Sequence, residues 1–398
     1  MVVPLAVLVV IAVVGGVWAK VHDDRGAQAN VPHADASVPG TPVKVGTDVC
    51  GEGWTGAHAG RVSVAVWNNS IEGMEVYLED VSTKKVYLDL ENLGGTSTRN
   101  ATATLGPGTY RFVCLPDDAD PLTGSKQRIT GHTDKPLTPG VVPITDNDLA
   151  PALAKYLDWV RGQLPGLRTQ VAAISADVAR GDTAAAKRDW VTAHARYETL
   201  GAAYGAFGDD DEAINAMPRT TVPARSDKDL HGFHKVEALL WSGAPAAQTT
   251  KALAALKKAV GNLRNDLSKP SLQTQEISLR AHEILENAIQ FELTGRTDAG
   301  SHSQLATIDA NLTGTAKSLS FITPLLQGRD PVLTQTQQDI ATSQTYVRSL
   351  RHGSTWPPLD GLPRAKRQRL DALLESTVED LSRVAVIAEP RRNVGENE

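Results

Sequence analysis

The stretch GFHKVEALLW, Gly232 to Trp241, sets a histidine and a glutamate three residues apart in an apolar run. At ~100° per residue, Leu230, Phe233, His234, Glu237, Leu240 and Trp241 fall on one helical stripe while Lys235 turns away, so the pair interrupts a core-facing surface. An ionised carboxylate on such a face needs a hydrogen-bonded partner, a raised pKa or a cation. A metal ion would satisfy imidazole and carboxylate together, and the alternative is a buried pair that hydrogen-bonds to itself. Just upstream, Ser226 and Asp229 offer a capping box and Asp227 adds negative charge, so the spacing predicts a helix that begins there.

The same oddity recurs in AAKRDWVTAHARYETLG, where Trp190, Val191, His194, Tyr197, Glu198 and Gly201 share a face and put a second His/Glu pair on it. Two helices that each turn a histidine and a glutamate inward form the arrangement from which bundle-core metal sites are built. The next loop, AFGDDDEAIN, adds Asp209, Asp210, Asp211 and Glu212, and a third helical run carries His282, Glu283, Glu286 and Glu292. Each has a plainer alternative: a small rotation would expose His194 and Glu198, and an acidic run is an ordinary solvated loop or helix start.

The elements that must hold these residues change character along the chain. RVSVAVWNN places Val62, Val64 and Val66 on one face, MEVYLED and KKVYLDL repeat the period of two, and LGPGTYRFVCL supplies a turn and a further strand. These short strands predict a small β-sandwich over 43–131, followed by a linker over 132–148. From about Leu149 the pattern becomes long amphipathic helices broken at GRDP and STWPPLDGLP, which predicts an all-α domain over 149–398. A chain of 398 residues is long enough for two or three compact units, and 41% apolar with 22% charged residues is a foldable composition. With a net charge of −6 and only short basic runs (AKRQR at 365–369, RR at 391–392), the sequence offers no nucleic-acid surface.

Residues 1–20 include the apolar run VVPLAVLVVIAVVGGVW, which reads as a signal peptide or a membrane anchor, and residues 21–42 read as a Pro/Ala/Gly-rich tether. Either reading sends the rest of the chain out of the cytoplasm. Cys50 and Cys114 are the two cysteines, and export makes a disulfide between them the leading reading, with separate buried thiols or metal ligation as alternatives. After Cys114 the sequence LPDDADPLTGSK lacks the histidine and methionine of a blue-copper site.

Taken together, WVTAHARYETLGAAYGAFGDDDEAIN, GFHKVEALLW, RAHEILENAIQFELTGRTDAGS and LATIDANLTGT, in that family's order, resemble the imelysin family and within it the EfeO-type iron-uptake branch. GFHKVEALLW matches its GxHxxE signature. The resemblance implies a cupredoxin-like β-sandwich ahead of an imelysin-type helical bundle, in an extracytoplasmic protein that binds iron, ferrous or ferric. It implies an iron permease and a haem peroxidase of the same uptake system as partners. Carried over by position, it makes His234 and Glu237 ligands, with Glu198 and Asp211 beside them; the inward spacing of His194 and Glu198 adds His194 as a further candidate. Zinc or copper would also accept imidazole. A metallopeptidase is the enzymatic alternative, but the inverted zincin pattern needs HxxEH and Ala238 follows Glu237. The third reading is an adhesion or structural protein whose polar pairs serve only the fold.

Overall fold

The computed structural model describes residues 42–392, apart from Ala57, residues 268–271 and Ser354. The expected signal or anchor (1–20) and nearly all of the tether (21–42) lie outside the described residues. The chain divides into two compact units, one running to Gly140 and the other starting at Val141.

The first unit is built from two sheets. In one, β1 (Val43–Val45) lies between β2 (Cys50–Glu52) and β3 (Gly60–Asn68), and β6 (Thr98–Leu105) follows on the far side of β3. The other runs β5 (Val86–Leu93), β4 (Met74–Asp80), β7 (Gly108–Pro116) and β8 (Leu122–Thr123), with β9 (Gln127–Ile129) also paired to β7. β1 runs parallel to β3, and the remaining pairings are antiparallel. The alternation in β3 does what its sequence requires: Val62, Val64 and Val66 enter the core while Arg61 and Ser63 face outward. Both sheets contribute to that core, where Leu78, Phe112 and Cys114 meet the valines. Cys50 and Cys114 form a disulfide with Cα atoms 5.8 Å apart, and Trp54 packs edge-on against Phe112 with ring centres 5.2 Å apart.

The second unit is helical, with nine α-helices among the described residues: α1 (Asp146–Arg180), α2 (Thr183–Glu198), α3 (Asp209–Asn215), α4 (Gly232–Trp241), α5 (Ala246–Asp266), α6 (Glu276–Asn287), α7 (Gln304–Leu326), α8 (Leu333–Ser349) and α9 (Arg364–Ile387). A 3-10 turn, Gly201–Ala206, follows α2, and a π-helical turn, Ala288–Glu292, extends α6. No helix among the described residues is long and apolar enough to cross a membrane. α1 begins at a capping box between Thr145 and Asp148, so the last residues of the expected linker belong to the helix. It ends at Gly181, whose φ of 75° is the left-handed cap that glycine tolerates.

The start of α4 differs from expectation. The helix opens at Gly232 after His231, with no side-chain cap, rather than at Ser226. Asp227 is committed elsewhere, paired with Arg219 and accepting from the Asp229 amide. Gly232 itself is required: its φ is 66°, and a Cβ there would lie 1.8 Å from the Ile214 carbonyl oxygen. The glycine of GFHKVEALLW therefore lets α4 dock on the end of α3.

Candidate metal centre

His194 and Glu198 lie on the inner face of α2, as their four-residue spacing requires, and His234 and Glu237 on the inner face of α4. Trp190 ties the two helices together, donating its indole N–H to the Phe233 carbonyl at 3.0 Å. Its ring stacks on His194 with centres 4.7 Å apart, and the two imidazoles meet edge-on at 5.2 Å. All four polar residues are buried.

A third segment completes the group. Asp298 lies in the turn between the π-helical segment and α7, fully buried with φ of 52°. Its Oδ1 is 3.4 Å from His194 Nδ1 and 3.9 Å from His234 Nε2. Donor atoms of His194, His234 and Asp298 all fall within 4.8 Å of one another. First-shell bonds of ~2.0–2.2 Å put two ligands of one ion roughly 3 to 4 Å apart, so the group could hold a metal ion with a small closing of its spacing.

Hydrogen bonding fixes which atoms point inward. His234 Nδ1 lies 3.1 Å from the Ala216 carbonyl and must donate to it, which leaves Nε2 as a lone pair. Asp298 Oδ2 accepts from Thr307 Oγ1 at 2.5 Å, which leaves Oδ1. Neither His234 Nε2 nor Asp298 Oδ1 has a hydrogen-bond partner, although both are buried. Two buried acceptors facing each other are costly without a proton or a cation between them. A metal ion coordinated by both removes that cost, so the donor set fits one.

The charges follow from these contacts. Burial opposes the charging of His194, but Asp298, Glu198 and Glu237 outweigh it and push its pKa up to about 9. Burial and the neighbouring His194 charge hold His234 below the usual histidine range. For Glu198, burial is outweighed by the His194 hydrogen bond and charge and by Asn215, and the pKa is lowered. Glu198 Oε1 lies 3.0 Å from His194 Nε2 and accepts from Asn215 Nδ2 at 2.8 Å, and Asn311, with its amide turned to suit its neighbours, donates to Oε2 at 3.1 Å. Burial and then Asp298 raise Glu237 to about 7.

In front of this group is a cleft of about 180 Å³ whose walls include Glu198, Asp211, His234, Glu283 and Glu292. Tyr197 Oη donates to Asp211 Oδ1 at 2.5 Å, and burial raises Asp211 to about 6 against that hydrogen bond. Burial, reinforced by Glu198 and Asp298, holds Glu292 well above the usual carboxylate range. The structure thus brings Glu198, Asp211 and His234 to one cleft and seats His194 behind it. Glu237 is not among the converging donor atoms; its Oε1 accepts from Gly300 N, Ser301 N and Ser301 Oγ at 3.1, 2.7 and 2.7 Å. On α6, His282 pairs with Glu286 at 3.5 Å, and neither is among the converging donor atoms.

Sequence reasoning missed Asp298, Asn215 and Asn311. Asp298 stands inside the block RAHEILENAIQFELTGRTDAGS, but a turn residue has no periodicity that would single it out.

The family model described as Imelysin matches residues 152–384. The chain is 23% identical over 352 residues to the "Iron uptake system component EfeO" of Yersinia pseudotuberculosis serotype I (strain IP32953), covering 88% of this chain and 91% of that protein. It is similar, at 23% identity over 354 residues, to the protein of the same description from Escherichia coli (strain K12), again covering 88% and 91%.

Proposed function

The chain belongs to the imelysin family, and on that premise we propose that it is the extracytoplasmic iron-binding component of an EfeO-type uptake system. It captures iron at a His/carboxylate centre and passes it to a membrane permease, with a haem peroxidase as the other partner. The observation that carries this reading is the opposed pair of buried acceptors, His234 Nε2 and Asp298 Oδ1, 3.9 Å apart. Those two atoms and His194 Nδ1 are the inner donors, and Glu198 and Asp211 on the cleft wall supply the negative charge that draws the cation in. Mixed imidazole and carboxylate donors suit ferrous and ferric iron and also tolerate zinc. Because His194 carries a proton at neutral pH, loading the centre through its Nδ1 releases one.

The remaining parts fit an exported binding protein. The Cys50–Cys114 disulfide belongs in an oxidising compartment, with residues 1–20 as the signal or anchor that takes the chain there. We read 43–131 as a cupredoxin-like sandwich and 149–398 as the metal-binding domain. Since Cys114 is spent in the disulfide, no copper thiolate is assigned to the sandwich. Hydrolysis of peptides is not expected, because His194 and His234 come from different helices and no HxxEH is present.

Titration with ferrous iron under anaerobic conditions, and with chelated ferric iron in air, tests the proposal. One ion per chain should bind to the wild type, and Asp298→Asn should weaken binding by more than about 100-fold, beyond the range for residues that only support ligands. Equal affinity in both proteins, or none in the wild type, would refute it.

A further inference from the structure

We propose that Glu237 is a positioning residue rather than a metal ligand: it clamps the turn that carries Asp298 and so sets Asp298 Oδ1 opposite His234 Nε2. The inference rests on the iron-binding reading and assigns one of that centre's residues a different job from the one its motif implies.

Glu237 Oε1 takes three hydrogen bonds from one short segment, Gly300 N, Ser301 N and Ser301 Oγ, at 3.1, 2.7 and 2.7 Å. A carboxylate oxygen has about two lone-pair directions, so three donors leave Oε1 nothing to offer a cation, and neither oxygen of Glu237 joins the donor atoms of His194, His234 and Asp298 that lie within 4.8 Å of one another. The segment it grips begins two residues after Asp298. Asp298 has its left-handed φ of 52° and accepts at its carbonyl from His302 N at 2.8 Å and Gln304 Nε2 at 3.0 Å. That backbone conformation is uncommon for a residue with a side chain and persists only where contacts over-determine it. Thr307 holds one carboxylate oxygen of Asp298 and Glu237 holds the turn, so Oδ1 has one direction left to face.

The clamp also accounts for the spacing. His234 and Glu237 are three residues apart on α4 and lie on one face. A single rigid turn of helix therefore carries both a ligand and the anchor of the opposing ligand, and the distance between His234 Nε2 and Asp298 Oδ1 is set by α4 itself. Gly232 supplies the third constraint: its docking on Ile214 brings the adjoining Ala216 carbonyl to His234 Nδ1 at 3.1 Å. Gly, His and Glu of the motif then serve as dock, ligand and clamp.

The test compares full-length wild type, Glu237→Gln, Glu237→Ala and Asp298→Asn. Each is titrated with ferrous iron and with cobalt(II), whose visible ligand-field spectrum reports the coordinating atoms. Amide hydrogen exchange is measured on the metal-free proteins. An amide oxygen at position 237 can still accept from Gly300 and Ser301. Glu237→Gln should therefore bind within about 10-fold of wild type with the same cobalt spectrum, while Glu237→Ala should lose about 10- to 100-fold, the range for residues that orient ligands. Exchange of the Gly300 and Ser301 amides should rise at least about tenfold in Glu237→Ala. A Glu237→Gln protein that loses as much affinity as Asp298→Asn, with an altered cobalt spectrum, would make Glu237 a ligand and overturn the proposal. Unchanged exchange at 300–301 in Glu237→Ala would overturn the clamp whatever the affinities. A wild type that takes up neither ion overturns the iron-binding reading and the positioning role with it, and the exchange data keep that failure distinct from failure of the clamp.

Discussion

In the β unit, Asn68 is fully buried and both ends of its amide are engaged: Nδ2 donates to the carbonyls of Glu72 and Leu93 at 2.7 and 3.0 Å, and Oδ1 accepts from the Ser70 amide and hydroxyl at 3.0 and 2.8 Å. In the helical unit, His234 and Asp298 are as deeply buried, yet neither His234 Nε2 nor Asp298 Oδ1 has a hydrogen-bond partner, and the nearest cationic group to Asp298 Oδ1 is the His194 ring at 3.4 Å. A satisfied amide makes a turn rigid and asks for nothing more. Opposed acceptors are stable only with a proton or cation between them. Covalent chemistry follows the same division: the two cysteines brace the β unit, and the histidine–carboxylate cluster sits in the other.

Removing the brace should break this division most visibly. The disulfide closes a separation of 64 residues, for which the chain-entropy account gives about 4 kcal/mol of stabilisation. The double variant Cys50→Ser/Cys114→Ser should lose that much in denaturant unfolding of the β unit and keep the iron affinity of the wild type. A large loss of iron binding would mean that the two units do not divide the work as described.

The next largest effect is expected at Gly232. Alanine there would place a Cβ 1.8 Å from the Ile214 carbonyl oxygen at a φ of 66°, so α4 must shift away from α3. Strain of this kind costs roughly 2 to 3 kcal/mol. Gly232→Ala should unfold the helical unit earlier by about that amount and weaken metal binding, because His234 moves with the helix. Unfolding of the β unit should be unaffected.

The smallest effect concerns pH. His194 has its pKa raised from 6.5 to about 9, so its stabilising charge is fully present below 6.5 and is lost as pH rises through 9. Glu237, raised from 4.5 to about 7, and Asp211, raised from 3.8 to about 6, act in the same sense at lower pH. Glu198 and His234 are lowered, and their stabilisation fails only on acidification. Between pH 7 and 9.5 the metal-free helical unit should therefore melt at progressively lower temperature. The shifted groups of the β unit titrate outside that window: Asp80 is lowered by the hydroxyls and amides of Ser82 and Thr83 against its burial, and burial raises Tyr87 and takes Tyr110 to about 12. A parallel melt of the β unit should be flat, and a His194→Gln protein should show a shallower slope, the remainder coming from the raised carboxyls of Glu237 and Glu292.

How much of this was legible follows from how local each feature is. The valines of β3 and the paired histidines and glutamates of α2 and α4 are set by the periods of strand and helix, so the sequence pattern placed them correctly on inner faces. The start of α4 was misread because Ser226 and Asp229 look like a cap, whereas Asp227 answers to Arg219 and the helix opens where Gly232 can approach Ile214. Asp298 was invisible for the same reason in stronger form. Its position depends on Glu237 and Thr307, and its conformation on a left-handed turn, none of which leaves a periodic trace. The motif marks Glu237 as a ligand, and the three donors on its Oε1, which no spacing could foretell, are what the proposed positioning role rests on.

The central claim is that the pair His234 and Asp298 is completed by a metal ion. Crystals of the full chain loaded with iron, measured at the iron absorption edge, test it most directly. The account predicts one strong anomalous peak within about 2.5 Å of both His234 Nε2 and Asp298 Oδ1, with the His194 ring beside it. A peak confined to the exposed acidic residues of the surface, or a loaded crystal with none near His234, would contradict it.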